Sequence, residues 1–404
     1  MTMKKTGLTF FLIFFLKTIV FSQSNDSLAL TPPMGWNSWN KFGCSVSEKL
    51  IKEVADAIVT NGMKNAGYQY IVIDDCWQIG RDKDGNIIAD PKLFPSGIKA
   101  LADYIHSKGL KFGIYSCAGS KTCQGRPGSK GYQFQDARTY AAWGVDYLKY
   151  DWCYNDGQNA KAAYQTMSEA LRESGRPIVF SICEWGTNKP WEWGKGIGNL
   201  WRTTEDIVNS FDGNIYWGGL SVLSIIDKEA ILYDYASPGH WNDPDMLEVG
   251  NDVLTNIQSK THFSMWAMLA APLMAGNDIR KIDNQTTEIL TNKEVIAVDQ
   301  DKLGKQGRRF WVFGNHEIWL KELANGEVAV CFLNRDANIP WKLNYDWKHY
   351  GLGFIETADL NKYTYNIRDL WLHKVIGNTS TKLETEIPPQ GVDIFKLSPI
   401  KPLK

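Results

Sequence analysis

Polar and acidic residues follow the short apolar runs that recur between residues 70 and 278 of this chain. They are Asp74, Asp75, Tyr115, Asp151, Glu184, Glu205, Asp206, Asp243, Asp245, Asn277 and Asp278. Carboxylates dominate this set, and clustered carboxylates suit two chemistries: binding a divalent cation, or acting as nucleophile and acid/base on a glycosidic bond. The candidate cation ligands are Asp74 with Asp75, or Asp243 with Asp245. Tryptophans near the same positions favour a sugar: Trp36, Trp39, Trp77, Trp152, Trp185 and Trp241.

The stretch DYLKYDWC (146–153) places two charged residues, Lys149 and Asp151, in a predicted buried strand. Burying either charge without a partner costs several kcal/mol. Alternate residues of a strand face the same side, so the Lys149 charge is expected to hold Asp151 ionised, as a nucleophile requires. Arg202 and Asp206 are predicted to close the sixth strand together. One strand-end Asp is more often a cap or turn residue, and only the joint pattern indicates a site.

The elements that carry these residues alternate between strand and helix. Eight strand-like runs are MGWNSW (34–39), YIVIDDCW (70–77), KFGIYSC (111–117), DYLKYDW (146–152), IVFSICEW (178–185), NLWRTTED (199–206), HWNDPDML (240–247) and MLAAPLMAGND (268–278). Amphipathic helices are predicted between them, including 47–65, 96–108 and 159–174. This α/β alternation predicts a (β/α)8 TIM barrel over 28–304, in which the carboxyl ends of the strands meet at one mouth. No Gly-rich phosphate turn follows the first strand, which disfavours an open doubly wound sheet.

The pattern changes after Gly304. Apolar and polar residues alternate, with turn residues between the runs, in EIWLKEL, EVAVCFLN, KYTYNIRDLWL, TKLETEI and VDIFKL. Such alternation is typical of antiparallel strands. Residues 305–404 are therefore predicted to form a small C-terminal antiparallel β-sandwich domain.

Charge and the N-terminal residues restrict the class of protein. A net charge of -1 without basic blocks argues against nucleic acid or an anionic membrane as partner. Residues 1–22 are predicted to be a signal peptide, with a basic start and an apolar core too short to span a bilayer. The mature chain is expected to be exported, to a periplasm or to the medium. The sequence has 7 cysteines, which leaves at least one unpaired, and it lacks the Cys-x-x-Cys spacing of structural zinc sites.

Several long motifs resemble those of glycoside hydrolase family 27, the retaining α-galactosidases and their α-N-acetylgalactosaminidase relatives. In chain order they are LALTPPMGWNSWNKFGC, IDDCW, KFGIYSCAGSKTC, YLKYDWC, CEWG, WRTTEDI, WNDPDMLEVGN, AAPLMAGNDIR and NKEVIAVDQDKLGKQG. The resemblance covers nearly the whole mature chain. It implies an exo-acting sugar pocket and a reaction that needs neither a metal nor an organic cofactor.

The resemblance implies the catalytic roles. Asp151 matches the nucleophile that forms a covalent glycosyl-enzyme, and Lys149 matches a residue that hydrogen-bonds sugar hydroxyls beside it. Asp206 matches the acid/base, and Arg202 matches a contact to the substrate and to a carboxylate. This division of labour requires a low pKa for Asp151 and a raised pKa for Asp206.

The resemblance also implies the specificity of the pocket. Asp74 and Asp75 match the pair that binds the 4-OH and 6-OH of galactose. Other pocket walls match Trp39, Tyr115, Asp245 and Met246. Cys183 and Trp185 match the side facing the 2-OH in plant-type α-galactosidases, where the bulk of Trp185 leaves little room for an acetamido group. Relatives that cleave β-L-arabinopyranosides carry Glu in place of the second Asp, so Asp75 favours galactose.

Cysteine pairing is a further implication of the resemblance. Two disulfides carry over, Cys44–Cys76 and Cys123–Cys153. Cys117 stands where many relatives have Asp. Gly198 stands where animal members have the partner of Cys183, so Cys183 is expected to be unpaired.

The predicted function is that of an exported, retaining exo-α-galactosidase, acting on galactose-terminated oligosaccharides or polysaccharides. Three alternatives stay open. The same chemistry could act on α-N-acetylgalactosaminides or β-L-arabinopyranosides. A non-catalytic galactoside-binding protein could use the same barrel, and so could a metal-dependent hydrolase.

Overall fold

The computed structural model of the protein describes residues 28–400, apart from positions 214, 216, 217 and 357. The predicted signal peptide, residues 1–22, lies outside the described residues. Within the described part of the chain, no helix combines the length and apolar character needed to cross a membrane.

Strands and helices alternate from residue 34 to residue 299. The strands are β1 (Met34–Asn37), β2 (Tyr70–Ile73), β3 (Gln78–Arg81), β4 (Ile87–Ala89), β5 (Lys111–Cys117), β6 (Tyr147–Asp151), β7 (Val179–Cys183), β8 (Leu200–Arg202), β9 (Trp241–Asp243) and β10 (Leu273–Ala275). The helices are α1 (Trp39–Phe42), α2 (Glu48–Thr60), α3 (Met63–Ala66), α4 (Gly97–Ser107), α5 (Gln133–Trp143), α6 (Ala160–Glu173), α7 (Pro190–Trp193), α8 (Val222–Glu229), α9 (Asn256–Leu269), α10 (Asn284–Leu290) and α11 (Lys293–Asp299).

Eight of these strands form one parallel sheet, in the order β10-β1-β2-β5-β6-β7-β8-β9. Strands β3 and β4 pair separately as an antiparallel hairpin. Leu247, just beyond β9, closes the sheet against β10. Its amide donates to the Met274 carbonyl at 2.8 Å, and its carbonyl accepts from the Gly276 amide at 3.1 Å. The predicted (β/α)8 barrel is confirmed.

Most strands end before the polar residues of the predicted runs. β2 ends at Ile73, so Asp74 and Asp75 lie in the loop that follows it. β8 ends at Arg202, which leaves Asp206 four residues further on. Asp151 and Asp243 are exceptions, because they are the last residues of β6 and β9. The polar side chains therefore lie at the carboxyl end of the barrel, where residues distant in sequence become neighbours.

The helix predicted over 47–65 is in fact two helices, α2 and α3. Ser47 is the N-cap of α2, and its side-chain oxygen accepts a hydrogen bond from the Leu50 amide at 3.2 Å. The chain then turns at Gly62, whose φ of 91° is strongly favoured only for glycine. The prediction of one continuous helix was wrong because the apolar periodicity continues across this turn.

The C-terminal part of the chain consists of antiparallel strands. They are β11 (Arg308–Phe313), β12 (His316–Glu322), β13 (Val328–Asn334), β14 (Trp341–Tyr345), β15 (Tyr365–Asp369), β16 (Lys374–Asn378), β17 (Leu383–Ile387) and β18 (Val392–Pro399), with helix α12 (Trp347–Tyr350) after β14. A six-stranded sheet has the order β11-β12-β13-β18-β15-β16, and β14 pairs with β17. Side chains from both sheets share one apolar core, which confirms the predicted β-sandwich.

Helix α9 lies between the barrel and the sandwich, and its residues from Thr261 to Leu269 are all buried. Its residues Phe263 and Trp266 belong to the same apolar cluster as Trp319 and Cys331 of the sandwich. The buried Lys321 of β12 donates to the Ala267 carbonyl of α9 at 2.8 Å. The barrel and the sandwich are therefore joined by a continuous apolar core.

Candidate active site

A cavity of about 780 Å³ opens among the loops at the carboxyl ends of the barrel strands. The fold brings together here nearly all of the predicted site residues. Those that line the cavity are Trp39, Asp74, Asp75, Tyr115, Lys149, Asp151, Trp185, Arg202, Asp206, Asp245 and Met246. Cys183 is not part of this lining.

Asp151 faces the cavity, although only 6% of the residue is exposed. The Tyr115 hydroxyl donates to its Oδ2 at 2.9 Å, and the Trp152 amide donates to its Oδ1 at 2.7 Å. The disulfide sulfur of Cys123 lies 3.5 Å from Oδ2. With both carboxylate oxygens held in this way, the orientation of the Asp151 side chain is fixed before any ligand binds.

The ionisation of Asp151 differs from the expectation of a low pKa. Burial raises its pKa to about 6, and the Lys149 charge opposes this rise without cancelling it. The negative charge of Asp206 raises the pKa further. Lys149 makes its ion pair with Asp74 instead, with Nζ 2.8 Å from Oδ2. Lys149 therefore limits the pKa of Asp151 but does not depress it below its ordinary value.

Asp74 and Lys149 form a compact buried pair. Asp74 Oδ2 accepts a second hydrogen bond from the Asn37 amide group at 2.8 Å, and the Asp74 backbone amide donates to the Ser38 hydroxyl at 3.0 Å. Burial works against the ammonium charge of Lys149, but Asp74 and other nearby negative groups outweigh it and raise the pKa of Lys149 well above its usual range. Lys149 thus carries a positive charge at the cavity wall at any physiological pH.

Backbone amides hold Asp75 on both sides. The Cys76 amide donates to Oδ1 at 2.6 Å and the Gln124 amide donates to Oδ2 at 2.9 Å. Burial nevertheless raises the pKa of Asp75. Both disulfides that the resemblance implies are present, Cys44–Cys76 and Cys123–Cys153. One donor amide belongs to Cys76, and the other belongs to Gln124, the residue after Cys123. The disulfides therefore fix the loops that orient this carboxylate.

Arg202 joins two carboxylates of the cavity. Its Nη2 lies 3.2 Å from Asp206 Oδ1 and 3.1 Å from Asp245 Oδ2. Asp245 is buried and also accepts from the Ile207 amide at 2.9 Å, whereas the Asp206 side chain is 51% exposed. Asp206 therefore lies at the rim, in a wetter environment than Asp151.

The resemblance implies that Cys183 and Trp185 line the same side of the pocket. In the structure only Trp185 lines the cavity. The Cys183 thiol is buried behind the wall, 3.8 Å from Arg202 Nη1, so it supports Arg202 without reaching the cavity. Trp185 does line the cavity, and its backbone has a φ of 60°, which is rare for a large side chain. Cys183 is unpaired, as expected, and the other buried free thiols are Cys117 and Cys331.

Four of the six tryptophans read as sugar contacts are buried packing residues. Trp36, Trp77 and Trp241 are fully buried, and Trp152 stacks on the ring of Tyr164 at a centroid distance of 5.6 Å. These four therefore do not contribute to the argument for a sugar that rested on the abundance of tryptophan, because aromatic residues near strand ends also fill the barrel core. Trp39 and Trp185 are the two that line the cavity.

Sequence reasoning missed a polar wall built by Glu248, Asn40 and Asn251. Glu248 accepts hydrogen bonds from the side chains of both asparagines, with the Asn251 bond at 2.7 Å. Burial raises the pKa of Glu248 to about 7. Glu248 lies three residues after Asp245, in the motif WNDPDMLEVGN, so its position in that motif could have identified it.

The carboxylates of the cavity do not form a cation site. Asp74 is compensated by Lys149, and Asp245 is compensated by Arg202. Among the described residues, one group of potential metal ligands lies within reach of a single ion, Cys123, Asp151 and Cys153, but its two sulfurs form a disulfide. The donor set therefore does not fit the metal-site alternative.

A barrel whose mouth holds paired and hydrogen-bonded carboxylates fits the class of glycoside hydrolases. The family model described as "Alpha galactosidase A" matches residues 31–301, and the one described as "Alpha galactosidase C-terminal beta sandwich domain" matches residues 313–397. The chain is 52% identical to Alpha-galactosidase A of Cellvibrio japonicus over 94% of each chain.

Solved structures of α-galactosidases have the same fold as this chain. The structure of α-galactosidase I from Mortierella vinacea superposes with a TM-score of 0.88 at 41% identity, over 92% of this chain and 98% of that one. An α-galactosidase from Saccharomyces cerevisiae with raffinose superposes with a TM-score of 0.88 at 33% identity, over 93% and 99%. The chain belongs to glycoside hydrolase family 27 and is an α-galactosidase-type glycoside hydrolase.

Proposed function

We propose that this protein releases terminal α-D-galactose from oligosaccharides or polysaccharides with retention of configuration, through a covalent galactosyl-Asp151 intermediate. The observation that carries the proposal is the pairing of a buried, oriented Asp151 with a rim-exposed Asp206 in one cavity. The relative from Saccharomyces cerevisiae was solved with raffinose, which ends in an α-galactosyl residue, and this supports the substrate class.

In the first step the ionised Asp151 attacks the anomeric carbon of the galactosyl residue. An Asp151–carbon bond forms while the bond to the leaving oxygen breaks, and Asp206 in its protonated form donates its proton to that oxygen. The hydroxyl of Tyr115 and the amide of Trp152 hold Asp151 in line for this attack. Such pre-orientation lowers the entropic part of the barrier.

In the second step water displaces Asp151 from the same face that the aglycone left. Asp206, now ionised, takes a proton from this water, and the two successive inversions return α-galactose. Arg202 Nη2 lies 3.2 Å from Asp206 Oδ1 and orients this carboxylate beside the cavity. Neither step needs a metal or an organic cofactor, so EDTA should leave the rate unchanged.

Recognition of galactose is proposed to rest on Asp74 and Asp75. Both are buried acceptors with fixed orientation, and buried acceptors left unpaired penalise a sugar that lacks the matching hydroxyl. Lys149 would donate to the neighbouring hydroxyls of the sugar. Trp185 occupies the wall proposed to face the 2-OH, where its bulk would exclude an acetamido group.

The experiment compares hydrolysis of three p-nitrophenyl glycosides, the α-D-galactopyranoside, the α-N-acetylgalactosaminide and the β-L-arabinopyranoside. A strong preference for the first is expected. Preference for the acetamido sugar would refute the role of Trp185, and preference for the arabinoside would refute that of Asp75. A folded protein inert on all three would favour the galactoside-binding alternative.

Export of the protein is proposed on its N-terminal sequence and its two disulfides, which persist in oxidising compartments. Fractionation of expressing cells should locate the protein outside the cytoplasm, with a mature N-terminus near Gln23. A full-length cytoplasmic protein would contradict this.

A further inference from the structure

A second, smaller depression of about 230 Å³ adjoins the active-site cavity. Trp185 lines both cavities and so forms the wall between them. The other lining residues are Gly186, Thr187, Trp191, Thr203, Glu205, Lys228, Ile231 and Leu232. We refer to this depression as the Trp191 groove.

The residues that line the Trp191 groove link it to the part of the cavity that holds Asp206. Glu205 lines the groove, and the next residue, Asp206, lines the active-site cavity and is exposed at its rim. Because Asp206 is the proposed donor to the leaving oxygen, the aglycone must pass close to Asp206. Two links, through Trp185 and through Glu205 beside Asp206, therefore connect the groove to the path of the aglycone.

The surface of the groove suits a sugar ring. Ile231 is 76% exposed, and Trp191 packs against the ring of Tyr235 at a centroid distance of 6.4 Å. Pyranose rings bury their C–H faces on such aromatic and aliphatic surfaces, in the same way that other apolar groups do. Lys228 and Glu205 form an exposed ion pair, with Nζ and Oε2 3.5 Å apart, and both can bond hydroxyls at the groove edge.

The wall between the cavities is held in place by tight backbone packing. Gly186 follows Trp185, and a Cβ at Gly186 would lie 2.1 Å from the Thr203 carbonyl oxygen. The loop after β7 is thereby pressed onto the loop after β8, which carries Glu205 and Asp206. A preformed groove of this kind costs little ordering entropy when a ligand binds.

We propose that the Trp191 groove binds a sugar unit of the aglycone, so that the enzyme favours galactosyl oligosaccharides over galactosides with small leaving groups. The inference rests on the proposed function, because it requires Asp206 at the leaving-group side. The occupant is an uncharged pyranose or furanose of the chain to which the terminal galactose is attached.

The test compares Trp191→Ala and Ile231→Ala with the wild type on raffinose and on α-D-galactosyl fluoride, whose leaving group is one atom. Both variants should lose about tenfold in kcat/KM for raffinose, mainly through KM, and keep kcat/KM for the fluoride within about twofold. Trp193→Ala is the matched control, because Trp193 is in the same helix α7 but packs on Tyr164 at 5.9 Å, outside the groove. It should affect both substrates equally.

Two results would overturn the inference. Either the groove variants lose activity equally on raffinose and on the fluoride, or they lose none on raffinose. Failure of the proposed function is distinguishable, because the wild type would then fail to hydrolyse α-D-galactosyl fluoride. Ile231 is an exposed side chain, so Ile231→Ala provides the answer even if Trp191→Ala does not fold.

Discussion

At the scale of single residues, burial sets Asp151 and Asp206 apart. Asp151 is almost fully enclosed, its two oxygens accept hydrogen bonds, and its pKa is raised to about 6. Asp206 is half exposed beside Arg202. A desolvated carboxylate is a stronger nucleophile than a hydrated one, and an exposed carboxyl can exchange protons with water. The arrangement therefore suits the two proposed roles even though the pKa of Asp151 is not low.

Replacing Asp151 by Asn should remove the nucleophile and leave the fold intact. We expect kcat for p-nitrophenyl α-D-galactopyranoside to fall by at least about a thousandfold, because the amide cannot form the glycosyl ester. Far-UV circular dichroism should be unchanged. Asp103→Asn is the matched control, since the Asp103 side chain is 59% exposed on α4, and it should keep full activity. Turnover near wild type in Asp151→Asn would refute the assignment.

The raised pKa of Asp151 predicts an acid limb in the pH profile. Because Asp151 must be ionised to attack, kcat/KM should fall as the pH drops through about 6, by about tenfold per pH unit below that point. The Lys149 charge lowers this pKa, so Lys149→Met should move the limb to higher pH. Steady-state kinetics from pH 4 to pH 8 measure both midpoints. A flat profile down to pH 4, or a limb moved to lower pH in Lys149→Met, would contradict the prediction.

At the scale of elements, the end of helix α8 supports the loop that follows β8. Glu229 is buried, and one of its carboxyl oxygens contacts the Thr203 hydroxyl, which also contacts the Asp243 carbonyl at 3.1 Å. A hydroxyl has one hydrogen and cannot donate to both acceptors. A protonated Glu229 resolves this, because it donates to Thr203 while Thr203 donates to Asp243. Burial raises the pKa of Glu229 to about 8, which agrees with a neutral acid.

Glu229→Gln should therefore be tolerated, because an amide also donates to Thr203. We expect kcat/KM within about threefold of the wild type, whereas Glu229→Ala should lose about tenfold or more, since Arg202 and Asp206 follow the displaced loop. The glutamine variant should also lose any decline in kcat/KM that sets in above about pH 8. If Gln is as damaging as Ala, Glu229 acts as an anion and this interpretation is wrong.

Sequence patterns predicted the elements better than the exact positions of the side chains. The alternation of strand and helix predicted the barrel, and the strand-end carboxylates indicated its mouth. The pairing of Lys149 with Asp74 could not be predicted, because it joins residues 75 positions apart on neighbouring loops and strands. The sequence also could not separate buried tryptophans such as Trp36 and Trp241 from those that line the cavity, because periodicity does not distinguish a core position from a cavity wall.

At the scale of the whole molecule, helix α9 ties the sandwich to the barrel. Trp319 of β12 is fully buried in the cluster that contains the barrel core, so the two parts have no separate apolar cores at this boundary. Interfaces this apolar favour joint unfolding over independent motion. The residues that line the active-site cavity all belong to the barrel, so the sandwich contributes none of them.

Heating should therefore unfold the barrel and the sandwich in one calorimetric transition. Trp319→Ala should lower the midpoint of that whole transition, at a cost of roughly 3–5 kcal/mol for the lost packing. Phe313→Ala is the matched control, because Phe313 lies in the same sheet but is 78% exposed, and it should shift the midpoint little. Two separate transitions, of which Trp319→Ala moves one, would show that the sandwich unfolds independently.

The covalent intermediate on Asp151 is the central claim, and peptide mass mapping after inactivation tests it most directly. The protein is incubated with 5-fluoro-α-D-galactosyl fluoride, a substrate whose galactosyl-enzyme breaks down slowly, and is then digested with pepsin. We expect one fluorogalactosyl unit on the peptide that contains Asp151, and none on that peptide in Asp151→Asn. A label on Asp206, or rapid turnover without any label, would contradict the proposed mechanism.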